Sequence, residues 1–192
     1  MDETPTQDDL LEIIRLDVWS GFYNAEDLLE YSVGGWIQEG VIDEFWATEV
    51  IEKEFKKKLA AEKSWPKKTD CDRLDTVFDE LNDSGNIALQ NAGIDLDEGL
   101  DDVEMLFEVR AGHDANIRGH CFYHRQDLHC TIDGGGLYLA FGDVDGDDEK
   151  AIEIGHEIVA KCREHGFEIE WEGTIQTRIL VKMKWQRRLH QS

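Results

Sequence analysis

Basic residues are scarce in this chain. Its 192 residues include 20 lysines and arginines against 43 aspartates and glutamates, a formal net charge of −23. Charge of that sign repels phosphate backbones and anionic headgroups and favours solubility. Direct contact with nucleic acid needs a concentrated basic patch, and only Lys53–Lys68 and the tail Lys182–Arg188 come close. Neither a nucleic-acid nor a membrane partner is therefore expected. Long apolar runs are missing as well. None approaches the ~20 residues that cross a bilayer, and no apolar h-region opens the sequence. Cysteine is sparse: Cys71, Cys121, Cys130 and Cys162 lie far apart with no C-x-x-C pair. That usage points to reduced thiols and a cytoplasmic location. No internal repeat or low-complexity segment breaks the pattern.

What remains is ample material for a core. Hydrophobic residues make up 41% of the chain, including six tryptophans, so one domain, or a small domain with a helical appendage, can bury a sizeable interior. Two regions divide at Ser64–Trp65–Pro66. Residues 1–65 lack strand signals. Leu10, Leu11, Ile14 and Val18 mark a helix over Asp8–Trp19, and Asn24 opens a second over Ala25–Tyr31. A longer helix is expected over Glu39–Lys63, ended by Pro66. Its basic run Lys53–Lys58 follows an acidic start, as the helix dipole favours, and reads as a solvated face.

Residues 66–192 alternate between helix and strand. Thr69 with Asp72 resembles a capping box, Leu74, Val77, Phe78 and Leu81 form an i, i+3, i+4, i+7 stripe, and Gly85 ends that helix. A short strand is expected at Ile87–Asn91, a helical stripe at Leu100, Val103, Leu106 and Phe107, and a strand at Gly119–His124. One or two helical turns over Gln126–Ile132 lead to the buried strand Leu137–Phe141. The helix Asp148–His165, closed by Gly166, precedes strands at Phe167–Trp171 and Thr177–Trp185. In the last, Ile179, Val181, Met183 and Trp185 share one side. The expected class is α+β: a helical N-terminal region, then a ferredoxin-like (split βαβ) sandwich with one extra strand.

The strings WPKKTDCDRLDTVFDELNDSGNIALQNAG, GHCFYHRQDL, GGGLYLAFG and WQRR, with DVWSGF at Asp17–Phe22, resemble an uncharacterised bacterial family, a domain of unknown function. The resemblance spans nearly the whole chain. It implies no activity, cofactor or catalytic residue. The family pattern has a histidine where Gln90 stands and a Thr-Gln-Ser-type turn where Ile94–Asp97 stands, so a role needing an imidazole at 90 does not carry over.

Chemistry-bearing side chains concentrate in Gly119–Asp127. A zinc site drawn from Cys121, His124, His129 and Cys130 matches no usual ligand spacing, and adjacent His129 and Cys130 diverge by about 100° on a helix. No metal and no cofactor are expected. A Cys121 nucleophile oriented through Asp127 is disfavoured, because in a strand Cys121 and His124 point to opposite faces. Counting from Asp143, the acidic run Asp143–Glu149 lacks the Gly and Glu of a calcium loop, and Asp95–Asp102 fails likewise. Gly134–Gly136 precedes a strand rather than a helix, so a tight turn is favoured over a phosphate cradle. Asp70, Asp72, Arg73 and Asp75 crowd a helix start, where an Arg73–carboxylate pair is expected.

Should the strands ending at Gln90 and His124 be neighbours, Asn91, Tyr123, His124, Gln126 and Asp127 would line one cleft. Trp185, Arg187 and Arg188 could then add an aromatic wall and positive charge. Two functions follow. The leading one is an acidic binding, regulatory or accessory module that offers a carboxylate-rich face to a protein partner, as inhibitors of nucleic-acid enzymes do by fold-level analogy. The alternative is a small-molecule enzyme using His124 and Asp127 as an acid–base pair beside Arg188.

Overall fold

A computed structural model describes residues 4–111 and 116–189. The chain forms two compact units, one from Met1–Thr69 with Gln186–Ser192, the other from Asp70–Trp185. The helical unit thus runs to Thr69 and includes the C-terminal tail.

The regular elements of the first unit are all helices among its described residues. Helix α1 (Gln7–Ser20) starts from a Thr6–Asp9 capping box and stops at Gly21, whose φ of 81° suits glycine. Asn24 caps α2 (Ala25–Asp27), which runs into a π-helical turn over Leu28–Ser32. After α3 (Gly34–Gln38) comes α4 (Glu44–Glu62). The expected start of α4 at Glu39 is corrected by five residues. Gly40 takes φ 72° and breaks the helix, and the Asp43 side chain then caps the new one at the Trp46 amide. Leu10, Ile14, Val18, Leu28, Val33, Ile42, Ala47 and Ile51 form the core of this unit.

The basic run of α4 is not uniformly solvated. Exposed Lys56 pairs with Glu52, and Lys57 reaches the buried Glu54, while Lys58 is fully buried. Its Nζ donates to the Val18 carbonyl at 3.0 Å and reaches that of Trp19 at 3.5 Å. Those are terminal carbonyls of α1, which lack intrahelical partners and carry the negative end of the helix dipole.

The second unit is α+β, so a helical region followed by a sheet is the class observed. Helix α5 (Asp70–Asp83) buries the expected stripe Leu74, Val77, Phe78 and Leu81, with Cys71 in addition, and the chain leaves it through Gly85 at φ 89°. Then follow β1 (Asn86–Leu89), α6 (Leu96–Ala111), β2 (Gly119–Phe122), α7 (Arg125–Ile132), β3 (Leu137–Asp143), α8 (Asp148–Glu164), β4 (Glu168–Glu170) and β5 (Ile179–Lys182). The sheet order is β1-β2-β3-β5-β4. Strands β1 and β2 pair directly and in parallel, with Ile87 opposite His120, so no strand splits this βαβ unit. All other pairings are antiparallel.

Side-chain alternation divides the two faces. Ile87, Phe122 and Ala140 pack with Val103 of α6. The other face meets α8, where Phe141 and Trp171 crowd Gly155 so closely that a Cβ there would lie 2.6 Å from the indole. In β5, Ile179 and Val181 are buried while Lys182 is exposed, and buried Trp185 continues the alternation beyond the ladder. Both sheet edges are blunted. The Asn82 amide accepts from the Ala88 N–H and donates to its carbonyl, standing in for a neighbouring strand along β1. At the other edge β4 is only three residues long and carries Glu168 and Glu170.

Candidate functional site

The parallel strands β1 and β2 end side by side, and their exits shape the site. After β1 the chain turns through Asn91, held at φ 55°, and runs beside the residues that follow β2. The Ala92 amide donates to Tyr123 O, Arg125 N to Gly93 O, and Gln126 N to Ile94 O. The first amides of α7 are thereby satisfied by backbone carbonyls. The same loop delivers Asp95, whose side chain caps α6 by accepting from Asp97 N and Glu98 N.

His124 is the N-cap of α7. The expected strand therefore ends two residues before it, at Phe122, because the imidazole takes over the helix terminus. The Asp127 amide points at Nδ1 over 3.3 Å, so Nδ1 accepts and the ring proton sits on Nε2. That nitrogen lies 2.9 Å from Asp127 Oδ2. Arg178 places Nη1 2.7 Å from the same oxygen and 3.1 Å from Nε2. Its guanidinium also stacks over the Tyr138 ring, 5.1 Å from the centroid. His124 and Asp127 are buried, whereas the Arg178 side chain stays 37% exposed.

Electrostatics follow from that burial. Desolvation, aided by the Arg178 charge, holds the His124 imidazole below its ordinary value against the pull of Asp127 and Asp95. Desolvation also pushes the Asp127 carboxyl up, while Arg178 and His124 oppose the rise. His124 is thus kept neutral, with Nδ1 on the backbone and Nε2 on a carboxylate. Above the three residues opens a groove of about 530 Å³ lined by Asp95, Leu96, Asp97, His124, Gln126, Asp127, Cys130 and Arg178.

The other expected site residues lie elsewhere. Tyr123 is fully buried, edge-on to Phe78 and Trp185, and its hydroxyl donates to Gln90 Oε1 at 3.0 Å. Gln90 in turn donates to Asp75, so this polar string ties β1 to α5 and takes no part in the groove. Asn91 shapes the loop but is not among the groove-lining residues. Arg188 belongs to the first unit and donates to the Pro66 carbonyl. The structure gathers His124, Gln126 and Asp127 from the expected set and adds Arg178, Asp95 and Asp97. Replacing Tyr123 with Phe is expected to cost about 1 kcal/mol in chemical denaturation, the worth of one hydrogen bond, and to leave the groove unchanged.

The remaining motifs have structural roles. Burial pushes the Cys121 thiol well above its ordinary value and raises Cys162 to about 12, so neither is a ready nucleophile. Among the described residues no group of three or more His, Cys, Asp or Glu side chains is placed to hold a metal. Asp143 accepts from the Asp145 and Asp147 amides, and Asp147 caps α8. Gly134 and Gly136 turn the chain at φ 93° and 76°. Arg73 pairs with Asp70, bonds His165 O at the end of α8 and stacks on Phe167.

Over residues 3–189 the sequence matches the family described as Domain of unknown function (DUF6891). The chain belongs to that family. No curated protein and no solved structure matches it. Among its described residues no helix is long and apolar enough to cross a membrane.

Proposed function

We propose that this DUF6891 protein acts by binding a protein partner through an acidic face, as a regulatory or accessory module, rather than by catalysis. The observation that carries this reading is the state of His124. A general base or acid must present an ionisable atom to the substrate within hydrogen-bond reach, and both ring nitrogens here are engaged within the fold. The net charge of −23 supports a basic partner, which such a field would attract over distance.

The enzyme reading draws support from the groove itself, whose volume lies within the range of small-molecule sites. Beside it, Arg178 is bonded to Asp127 but keeps part of its guanidinium side chain in solvent. The two readings differ in what His124 does on titration. As a structural cap it is expected to show the Nε2–H tautomer in nitrogen NMR and a midpoint below its ordinary value near 6.5. A group with a depressed folded value that is charged only when protonated contributes stability in full above the unfolded value. That stability is lost as pH falls toward the folded one. A His124 that titrates at or above 6.5, with Nδ1 protonated or solvent-exposed, would return the argument to acid–base chemistry.

A further inference from the structure

The structure assigns the docking face: we propose that the exposed side of α6 binds a basic amphipathic helix of another protein. This rests on the binding reading above. Among the described residues, five of the eleven exposed large hydrophobic side chains, Ile94, Leu96, Leu100, Met105 and Val109, fall in or just before this one helix. Met105 is 59% exposed and Val109 64%, so they contribute little to the fold of this unit. Turning about 100° per residue, α6 sets exposed Asp97, Asp101, Glu104 and Glu108 in one row. Leu96 and Leu100 run along one side of that row, Met105 and Val109 along the other.

Charge selects the occupant. Residues 95–110 carry seven carboxylates against the single Arg110, and Arg110 is engaged by Asn82. A second copy of the chain would bring the same acidic row against its twin, and anionic lipid or nucleic acid would be repelled likewise. A cationic protein segment is attracted. Its apolar side chains would cover the more exposed flank, Met105 and Val109, beside the acidic row, and their removal from water supplies non-directional affinity. A helix fits better than a strand. Rows of helical period pack against a second helix at 8–10 Å, whereas strand addition needs an open sheet edge, which the face of a helix does not offer.

The test uses the full chain, isotope-labelled, titrated with a synthetic peptide of about 18 residues, five helical turns, carrying Leu and Lys at amphipathic spacing. Saturable amide shifts are expected over residues 94–109. A scrambled peptide of the same composition should bind more weakly, and a Leu/Glu peptide not at all. Neutralising the row (D101N, E104Q, E108Q) is expected to weaken binding about tenfold or more at low salt, with less effect at high salt. M105S with V109S, at the two exposed flank positions, should weaken it at every salt concentration. These surface changes leave the buried face of α6 intact, which circular dichroism verifies. Equal binding of the scrambled peptide, or undiminished binding by the neutralised variant, would overturn the assignment. Saturable shifts confined to another acidic surface would overturn it while leaving the binding reading in place. Absence of saturable binding by any cationic peptide would overturn both.

Discussion

Replacing Lys58 with alanine is expected to destabilise the helical unit by about 3–5 kcal/mol. Two losses combine. The lysine stem is fully buried, and truncating a buried side chain of that length typically costs about 2–5 kcal/mol through lost packing and the cavity left behind. The ammonium also serves the Val18 carbonyl, and an orphaned buried acceptor costs about 1–3 kcal/mol. Gly21 stands where the Lys58 and Arg187 side chains converge. A Cβ on Gly21 would lie 2.8 Å from Arg187 Cγ and 2.9 Å from Lys58 Nζ. Lys58→Met retains most of the volume and removes the donor, so it should lose less than alanine does. Hydrogen exchange at the end of α1 and along α4 measures the effect locally, which is preferable where two units need not unfold as one. A loss below about 1 kcal/mol, typical of a surface substitution, would mean that the lysine is hydrated rather than buried.

The second large effect belongs to the groove. Arg178→Gln is expected to cost about 2–4 kcal/mol near neutral pH. Breaking a fully buried ion pair costs about 3–5 kcal/mol because a charge is stranded, and exposed pairs contribute about 0–1 kcal/mol. Here the stranded partner, Asp127, is buried while Arg178 is partly solvated, which places the expectation between those limits. The pH dependence identifies the cause. Burial already raises the Asp127 carboxyl above the ordinary 3.8. A carboxyl raised in the folded state holds its proton more tightly there than in the unfolded chain. Stability is therefore lost as pH rises from the unfolded value through the folded one. Removing Arg178 raises the folded value further, so the deficit of the variant should grow with pH across that window and shrink in acid. His124, relieved of a neighbouring cation, would change the deficit in the same direction by accepting a proton beside Asp127. Denaturant titrations at about pH 7 and about pH 4.5 measure this. An equal deficit at both would show that Asp127 is not the group left stranded.

These two sites show where reading the chain alone succeeds and where it stops. The helix stripe Leu74–Leu81, the stop at Gly85, the buried strand Leu137–Phe141 and the alternation through Ile179–Trp185 were all legible, because each depends on a period repeated over a few neighbouring residues. The crowding of polar groups before Asp127 was legible for a related reason, since buried polar groups require partners. Which partners they find was not. His124 looks like a strand residue until the helix behind it is built, and only then does its ring become the cap. Arg178 reaches Asp127 across 51 positions of sequence, and nothing local to residue 178 separates it from Arg187 or Arg188. Lys58 reads as one more charge of a solvated run, and only the approach of the α1 terminus, 40 residues away, makes it a buried donor.

The sequence by itself determined the α+β class, the acidic surface and the order of most elements, because periodicity, capping and charge act over one or two helical turns. The tertiary structure alone decided that β1 and β2 lie side by side, that Arg178 rather than Arg188 supplies the groove with its cation, and that the C-terminal tail joins the helical unit. Those outcomes depend on which distant surfaces bury the most apolar area while leaving no polar group unpaired, a competition settled over the whole chain rather than within any one segment of it.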